Sequence, residues 1–188
     1  RGVLAPRPAG GSTVPHQLLV IGGDAAGMSA ASQARRLRGP DELAITVVER
    51  GDTTSYAACG IPYWVAGLVE DRASLIARRA EVFRERQHID VHLHHEATAI
   101  DTAARSVTVR DLDTGADRTL PYDDLLIATG AQQVPPPVDG LNTPGVSGVQ
   151  TLPDGQRILD ALAARAPRRA VVVGGGYIGL EMAEALQL

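Results

Sequence analysis

Apolar residues along this chain fall in short runs whose period changes from one run to the next. Gln17–Ile21 (QLLVI) is a continuous apolar stretch ending at Gly22-Gly23, the pattern of a strand covered on both faces. Ala25–Leu37 is dense in Ala and Ser, carries Arg35, Arg36 and Arg38 at its end and stops at Gly39-Pro40. Cations there complement a helix C-terminus and Gly-Pro ends it, so a helix is predicted. Leu43–Val48 reads as a second apolar strand and closes a strand–helix–strand unit. An irregular segment, Arg50–Ala66, and a charged helical region, Arg72–Arg86, follow. Val91–His94, Ala97–Ile100 and Ser106–Arg110 alternate with period two and predict a small antiparallel meander, with a turn at Asp113-Thr114-Gly115. Asp124–Ala128 is read as another buried strand. Gln133–Pro144 holds four prolines and predicts a linker or extended crossover. Leu152–Ala164 has helical spacing, and Arg169–Val173 predicts a strand opening a second strand–turn–helix unit.

The two Gly-rich turns carry the first chemistry. Gly174-Gly175-Gly176-Tyr177-Ile178-Gly179 fits G-x-G-x-x-G between a predicted strand and a predicted helix. In that setting Gly174 makes the tight turn, Gly176 lets backbone approach a pyrophosphate, and Gly179 lets helix and strand pack closely. The first turn, Gly22-Gly23-Asp24-Ala25-Ala26-Gly27, is a degenerate copy with Asp24 at the middle glycine. Glu49 ends the second strand 22 residues after Gly27, at the distance where an acid hydrogen-bonds the ribose of a dinucleotide. Glu49 is therefore expected at the edge of the Gly22 turn, with Arg50 beside it. The resulting fold class is α/β: a doubly wound, Rossmann-like domain with a small antiparallel β-meander, plus the start of a second Rossmann unit.

Composition narrows the classes. At 188 residues, 44% hydrophobic and 21% charged, the chain is ordinary for a globular protein. Only 3% of residues are aromatic, so the core must be built from Ala, Val, Leu and Ile. A net charge of −4 supplies no attraction to nucleic acid, and no apolar run reaches membrane-spanning length. Arg1–Pro15 is rich in Pro and Gly, lacks an apolar run of signal-peptide length and has no initiator Met, so residues 1–15 are expected to be a disordered extension. A single cysteine excludes an intrachain disulfide and a Cys-rich metal site, and with no signal peptide a cytoplasmic location is expected. His88, His92, His94 and His95 cluster, with His92 and His94 on one strand face, but no Cys and few acids complete a metal site; surface histidines are expected.

These residues resemble the FAD-dependent pyridine nucleotide-disulfide oxidoreductases. Leu126-Ile127-Ala128-Thr129-Gly130-Ala131 is similar to that family's A-T-G segment beneath the flavin dinucleotide, and Gly179-Leu180-Glu181-Met182-Ala183 to its NAD(P)H-binding start. Thr54-Ser55-Tyr56-Ala57-Ala58-Cys59-Gly60-Ile61-Pro62-Tyr63 resembles the single-cysteine subgroup of coenzyme A disulfide reductases and NADH oxidases or peroxidases. Trp64 stands where two-cysteine members place their second thiol, and Ala58 where the reductases usually have Asn. The resemblance implies FAD at Gly22, Gly23, Ala25, Ala26, Gly27, Glu49, Arg50, Thr129 and Gly130. It implies NADH or NADPH at Gly174, Gly176 and Gly179, a redox role for Cys59, and thiol-substrate contacts from Ser29, Gln33, Arg36 and Ser55. Arg36 serves equally as a surface charge on the helix dipole.

The implied activity is NAD(P)H-dependent reduction of a small disulfide or persulfide. An oxidase or peroxidase using a cysteine sulfenic acid, and a non-catalytic fragment, remain as alternatives. The implied organisation is an FAD-binding domain over 16–150, the truncated beginning of an NAD(P)-binding domain over 151–188, and a homodimeric parent. A truncated second unit should leave Val171, Val173, Ile178 and Met182 as an exposed apolar patch. Cys59 should lie beside the Gly22 turn rather than in the core, at the head of a helix holding Trp64 and Val65.

Overall fold

The computed structural model describes residues 14–187; the extension expected over 1–15 lies, but for Val14 and Pro15, outside them. The chain forms two compact units. The first runs to Asp52 and resumes over Ala80–Ala128; the second comprises Thr53–Arg79 and the chain from Thr129 onward.

In the first unit, α1 (Ala25–Leu37) and β2 (Leu43–Val48) take the expected bounds, and β1 (His16–Ile21) starts one residue earlier than expected. After the second unit's α2 (Ile61–Val65), the first unit continues with α3 (Ala80–Gln87), β3 (Ile89–His92), β4 (His95–Asp101), β5 (Ser106–Asp111), β6 (Asp117–Pro121) and β7 (Asp124–Ile127). A four-stranded sheet has the order β3-β2-β1-β7, with every neighbouring pair parallel. Its faces follow from side-chain alternation along each strand. Val20, Ile45, Val47, Ile89 and Val91 pack with Met28 and Ala31 of α1 and with Ala80 and Phe83 of α3. Leu19, Ile21 and Val48 point to the other face and pack with Val107 and Val109 of β5. Each such side chain, once buried, contributes about 1.5–3 kcal/mol relative to exposure. The continuous apolar strands are thus explained: helices cover one face and the antiparallel sheet β4-β5-β6 the other.

Four expectations are corrected here. Ile89–His92 joins the parallel sheet, pairing Ile45 with Ile89 and Val47 with Val91. The meander's third strand is instead β6, whose DRTLP holds too few apolar residues to signal a strand. The region Arg72–Arg86 is not one helix: a 3-10 turn over Arg72–Leu75 gives way to extended backbone, where Ile76 pairs with Tyr56. Finally, Asp124–Ile127 is an edge strand with Ile127 59% exposed, not a buried one.

In the second unit, α2, α4 (Leu152–Arg165) and α5 (Tyr177–Ala185) share a core of Ile61, Trp64, Val65, Leu75, Leu152 and Met182. Gly155 permits the approach of α4 to α2, since a Cβ there would lie 3.0 Å from both Ile61 Cγ2 and Trp64 Cζ3. The strand expected at Arg169–Val173 does not form. Val171 and Val173 are 88% and 87% exposed; among the described residues no neighbouring strand takes up their backbone groups. Ile178 is exposed as expected, but Met182 is buried against the α2 core. Among the described residues no helix is long and apolar enough to cross a membrane.

Candidate functional site

The β1–α1 turn is set by two glycines. Gly22 has φ 106°, a conformation open to glycine, and its N–H donates to Val48 O at 2.9 Å. Gly27 lies so close beneath it that a Cβ would stand 1.8 Å from Gly22 O and 3.1 Å from Val20 Cγ1. No side chain caps α1, and Ala25 and Ala26 are exposed. The N–H groups of its first turn are therefore presented to an anion without a bulky side chain in the way. Asp24 occupies the N-cap in extended conformation.

Glu49 meets this turn as expected. One carboxylate oxygen accepts the N–H of Gly23 at 2.6 Å and the other the N–H of Gly51 at 2.6 Å. The carboxylate is thereby held at the rim of the turn. Gly51 was not singled out from the sequence; its signal is the tight Glu49-Arg50-Gly51 run, in which only a short backbone reaches back to the carboxylate. Arg50 is exposed and pairs with Glu96 of β4 at 3.6 Å.

The second turn repeats the first in detail. Gly174 has φ 111°, and a Cβ on Gly179 would lie 2.1 Å from Gly174 O and 3.4 Å from Val172 Cγ1. Added Cβ atoms on Gly174, Gly175 or Gly176 would meet nothing within 4 Å, and no side chain caps α5. Both turns bring the helix close to the chain ahead of it and leave the helix N-terminus without a side-chain cap, an arrangement that fits a pyrophosphate. Thr129 and Gly130 are exposed, and Gly130 has φ 68°.

Cys59 is exposed and lies in the 3-10 turn Ala58–Gly60, directly ahead of α2. The helix at Trp64 and Val65 is present but is only 5 residues long. The turn is braced from behind. Ala57 N–H donates to Leu75 O at 2.8 Å, and Ala77 N–H to Ser55 O at 2.9 Å. Buried Thr54 donates its hydroxyl to Arg78 O at 3.0 Å. Ser55 itself sits at φ 48°, a conformation costly for a non-glycine residue. This brace was not legible in the sequence.

Ser29, Gln33 and Arg36 form an exposed stripe along α1, at the spacing that places residues on one face. Gln33 Oε1 accepts from Arg36 Nε at 3.1 Å and Nη2 at 2.5 Å. The stripe and the Gly22 turn belong to the first unit, and Ser55, Cys59 and the Gly174 turn to the second. The histidines pair locally: His92 with Asp90 at 2.7 Å and His94 with Asp113 at 2.9 Å. His94 lies beyond the strand end at φ 57°, so it does not continue the face of His92. Among the described residues no group of His, Cys, Asp and Glu is placed to hold a metal ion.

Known proteins share the sequence and fold of this chain. Residues 16–188 match the family model "Pyridine nucleotide-disulphide oxidoreductase". The chain is 38% identical over 175 residues to an NAD(P)H coenzyme A polysulfide/persulfide reductase of Pyrococcus horikoshii, covering 93% of this chain and 38% of the relative. It is 32% identical over 176 residues to a coenzyme A disulfide reductase of Staphylococcus haemolyticus, covering 91% and 38%. Among solved structures, an NAD-dependent persulfide reductase from A. fulgidus superposes with TM-score 0.85 at 40% identity, over 91% of this chain and 31% of that one. The chain thus spans about 38% of the length of these curated relatives. Proteins of this family and the neighbouring structures are FAD- and NAD(P)H-dependent oxidoreductases. On its motifs, its fold and these matches, the chain belongs to the pyridine nucleotide-disulphide oxidoreductase family.

Proposed function

We propose that this chain forms the FAD-binding part and the opening of the NAD(P)H-binding part of an enzyme that reduces a small disulfide or persulfide, with Cys59 as its redox residue. A CoA-type disulfide is the favoured substrate class, in line with the names of the relatives. The observation that carries the reading is the lone, exposed thiol of Cys59 on a braced turn, in a chain with two matching dinucleotide-type glycine turns.

The Gly22 turn and Glu49 would hold FAD, which would supply hydride-derived electron pairs from NAD(P)H to sulfur. The chain's own part is positional and nucleophilic. Cys59 as thiolate attacks one sulfur of the substrate disulfide; the new bond is Cys59–S–S–R, and the second half leaves as a thiolate. The left-handed Ser55 and the Leu75 and Ala77 hydrogen bonds keep this thiol on the surface, where a substrate reaches it. Gly174, Gly176 and Gly179 receive the nicotinamide dinucleotide's pyrophosphate.

Replacing Cys59 with Ser in the intact enzyme tests the reading. FAD should remain bound and reducible by NAD(P)H while disulfide turnover disappears. Normal disulfide turnover by Cys59→Ser would make Cys59 structural.

A further inference from the structure

We propose that His94 is a positioning residue for Glu49, making the grip of the first glycine turn on its nucleotide pH-dependent. The inference rests on the reading of Glu49 as the ribose-binding acid. Its geometry is a continuous hydrogen-bonded path within the first unit. His94 N–H donates to Gly51 O at 3.1 Å, and Gly51 N–H donates to Glu49 Oε1 at 2.6 Å. The other carboxylate oxygen holds Gly23 N–H at 2.6 Å. On its far side, His94 O accepts Leu112 N–H at 2.8 Å, and His94 Nδ1 meets Asp113 Oδ1 at 2.9 Å. His94 therefore joins the Glu49–Gly51 loop to the turn between β5 and β6, beside the backbone bond of His95 N–H to Glu49 O at 2.9 Å.

His94 holds this place in a left-handed conformation, φ 57°, which a bulky side chain adopts only when its contacts compensate. The imidazole's bond to Asp113 is the side-chain contact that does so. Charged neighbours all act in one direction: Asp113 from the β5–β6 turn, Asp111 at the end of β5 and Asp52 from the loop after β2. His95, next along the chain, bonds Leu93 O at 2.7 Å, and the Arg50–Glu96 pair is internally compensated.

The hydrogen bond to Asp113, first among these causes, raises the His94 pKa above its ordinary value. The sign follows directly. The protonated latch is fully engaged below the unfolded histidine's pKa of about 6.5, and it is lost as pH rises through the higher folded value. Being largely exposed, the pair is worth a small factor: a loss of roughly two- to fivefold in affinity is expected.

The test uses the whole chain, titrated with FAD between about pH 5.5 and about pH 8.5, with wild type, His94→Asn, Asp113→Asn and Glu49→Ala. Asn tolerates the left-handed conformation but does not titrate. Wild-type affinity should fall as pH rises, while His94→Asn and Asp113→Asn stay flat near the high-pH level. A His94→Asn profile that follows wild type overturns the proposal. Amide exchange of Gly23 and Gly51, read without nucleotide and corrected for intrinsic pH dependence, gives the independent readout. Protection should drop across the same interval in wild type and not in His94→Asn; constant wild-type protection overturns the latch. Absence of FAD binding at every pH, or Glu49→Ala binding as wild type does, sinks the reading of the turn instead, and the exchange data still decide the role of His94.

Discussion

A Cβ on Gly27 would stand 1.8 Å from the carbonyl oxygen of Gly22. No side-chain adjustment relieves that overlap, because both partners are backbone. Gly27→Ala must push α1 away from β1, through the core made by Val20 and Met28. Overpacking of this kind costs about 1–3 kcal/mol, and the displaced turn should no longer bind FAD. Thermal unfolding and FAD titration of the variant check both effects. The second turn gives the control: Gly179→Ala overlaps Gly174 O at 2.1 Å, but Val171 and Val173, in the non-strand segment ahead of it, are exposed. That variant should weaken NAD(P)H binding and leave FAD binding intact. Equal effects of the two variants on FAD would contradict separate cradles.

Glu49 offers a sharper chemical test. Its carboxylate accepts two backbone N–H groups, from Gly23 and Gly51. Glu49→Gln keeps the shape but turns an NH₂ group towards one of those donors. Hydrogen bonds to a charged group are worth about 1.5–3 kcal/mol, so FAD affinity should fall by roughly ten- to a hundredfold. Unchanged affinity in Glu49→Gln would remove Glu49 from the nucleotide site.

The sequence foretold those parts whose signals are local. β1, α1 and β2 were readable from apolar runs, the arginine-rich helix end and Gly39-Pro40. The Glu49 contact was readable because the strand–turn–helix spacing alone brings it to Gly23. What failed depended on distant partners. Val91–His94 alternates like a meander strand, yet the strand that forms there, Ile89–His92, is placed by Ile45 and Val47 of β2. The helix expected through Arg72–Arg86 is interrupted because Ile76 pairs with Tyr56, and nothing local announces that pairing. Arg169–Val173 has strand composition but no strand to bond among the described residues, and composition alone does not make a ladder.

The brace behind Cys59 predicts a coupled effect. A Cβ on Gly60 would lie 2.4 Å from Leu75 Cδ2. Leu75 is buried with Ile61, Trp64 and Val65, so its side chain is displaced only by disturbing α2. Gly60→Ala should therefore shift the fluorescence of Trp64, the chain's single tryptophan, and slow the alkylation of Cys59. Leu75→Val shortens the obstructing side chain and should partly restore both in the double variant. Additive effects, with no restoration, would show that the two residues do not couple.

Arg36 separates a ligand role from a helix-dipole role. It lies in the last turn of α1, where any cation stabilises the helix by about 0.3–1 kcal/mol. Its guanidinium also shares Gln33 Oε1 through two nitrogens, a geometry that a lysine ammonium does not reproduce. If the exposed Ser29–Gln33–Arg36 stripe receives the phosphate-bearing part of a CoA-type disulfide, Arg36→Lys should raise KM for that substrate several-fold. Turnover of a small disulfide lacking phosphate should be unaltered in the same variant, and its Tm should match wild type. If Arg36 is only a dipole charge, Arg36→Lys behaves as wild type towards both substrates, and Arg36→Ala lowers Tm slightly without changing either KM. Steady-state kinetics on the two substrates, beside the melting curves of both variants, decides between these outcomes, because charge at the helix end and fork geometry towards a phosphate are removed by different substitutions.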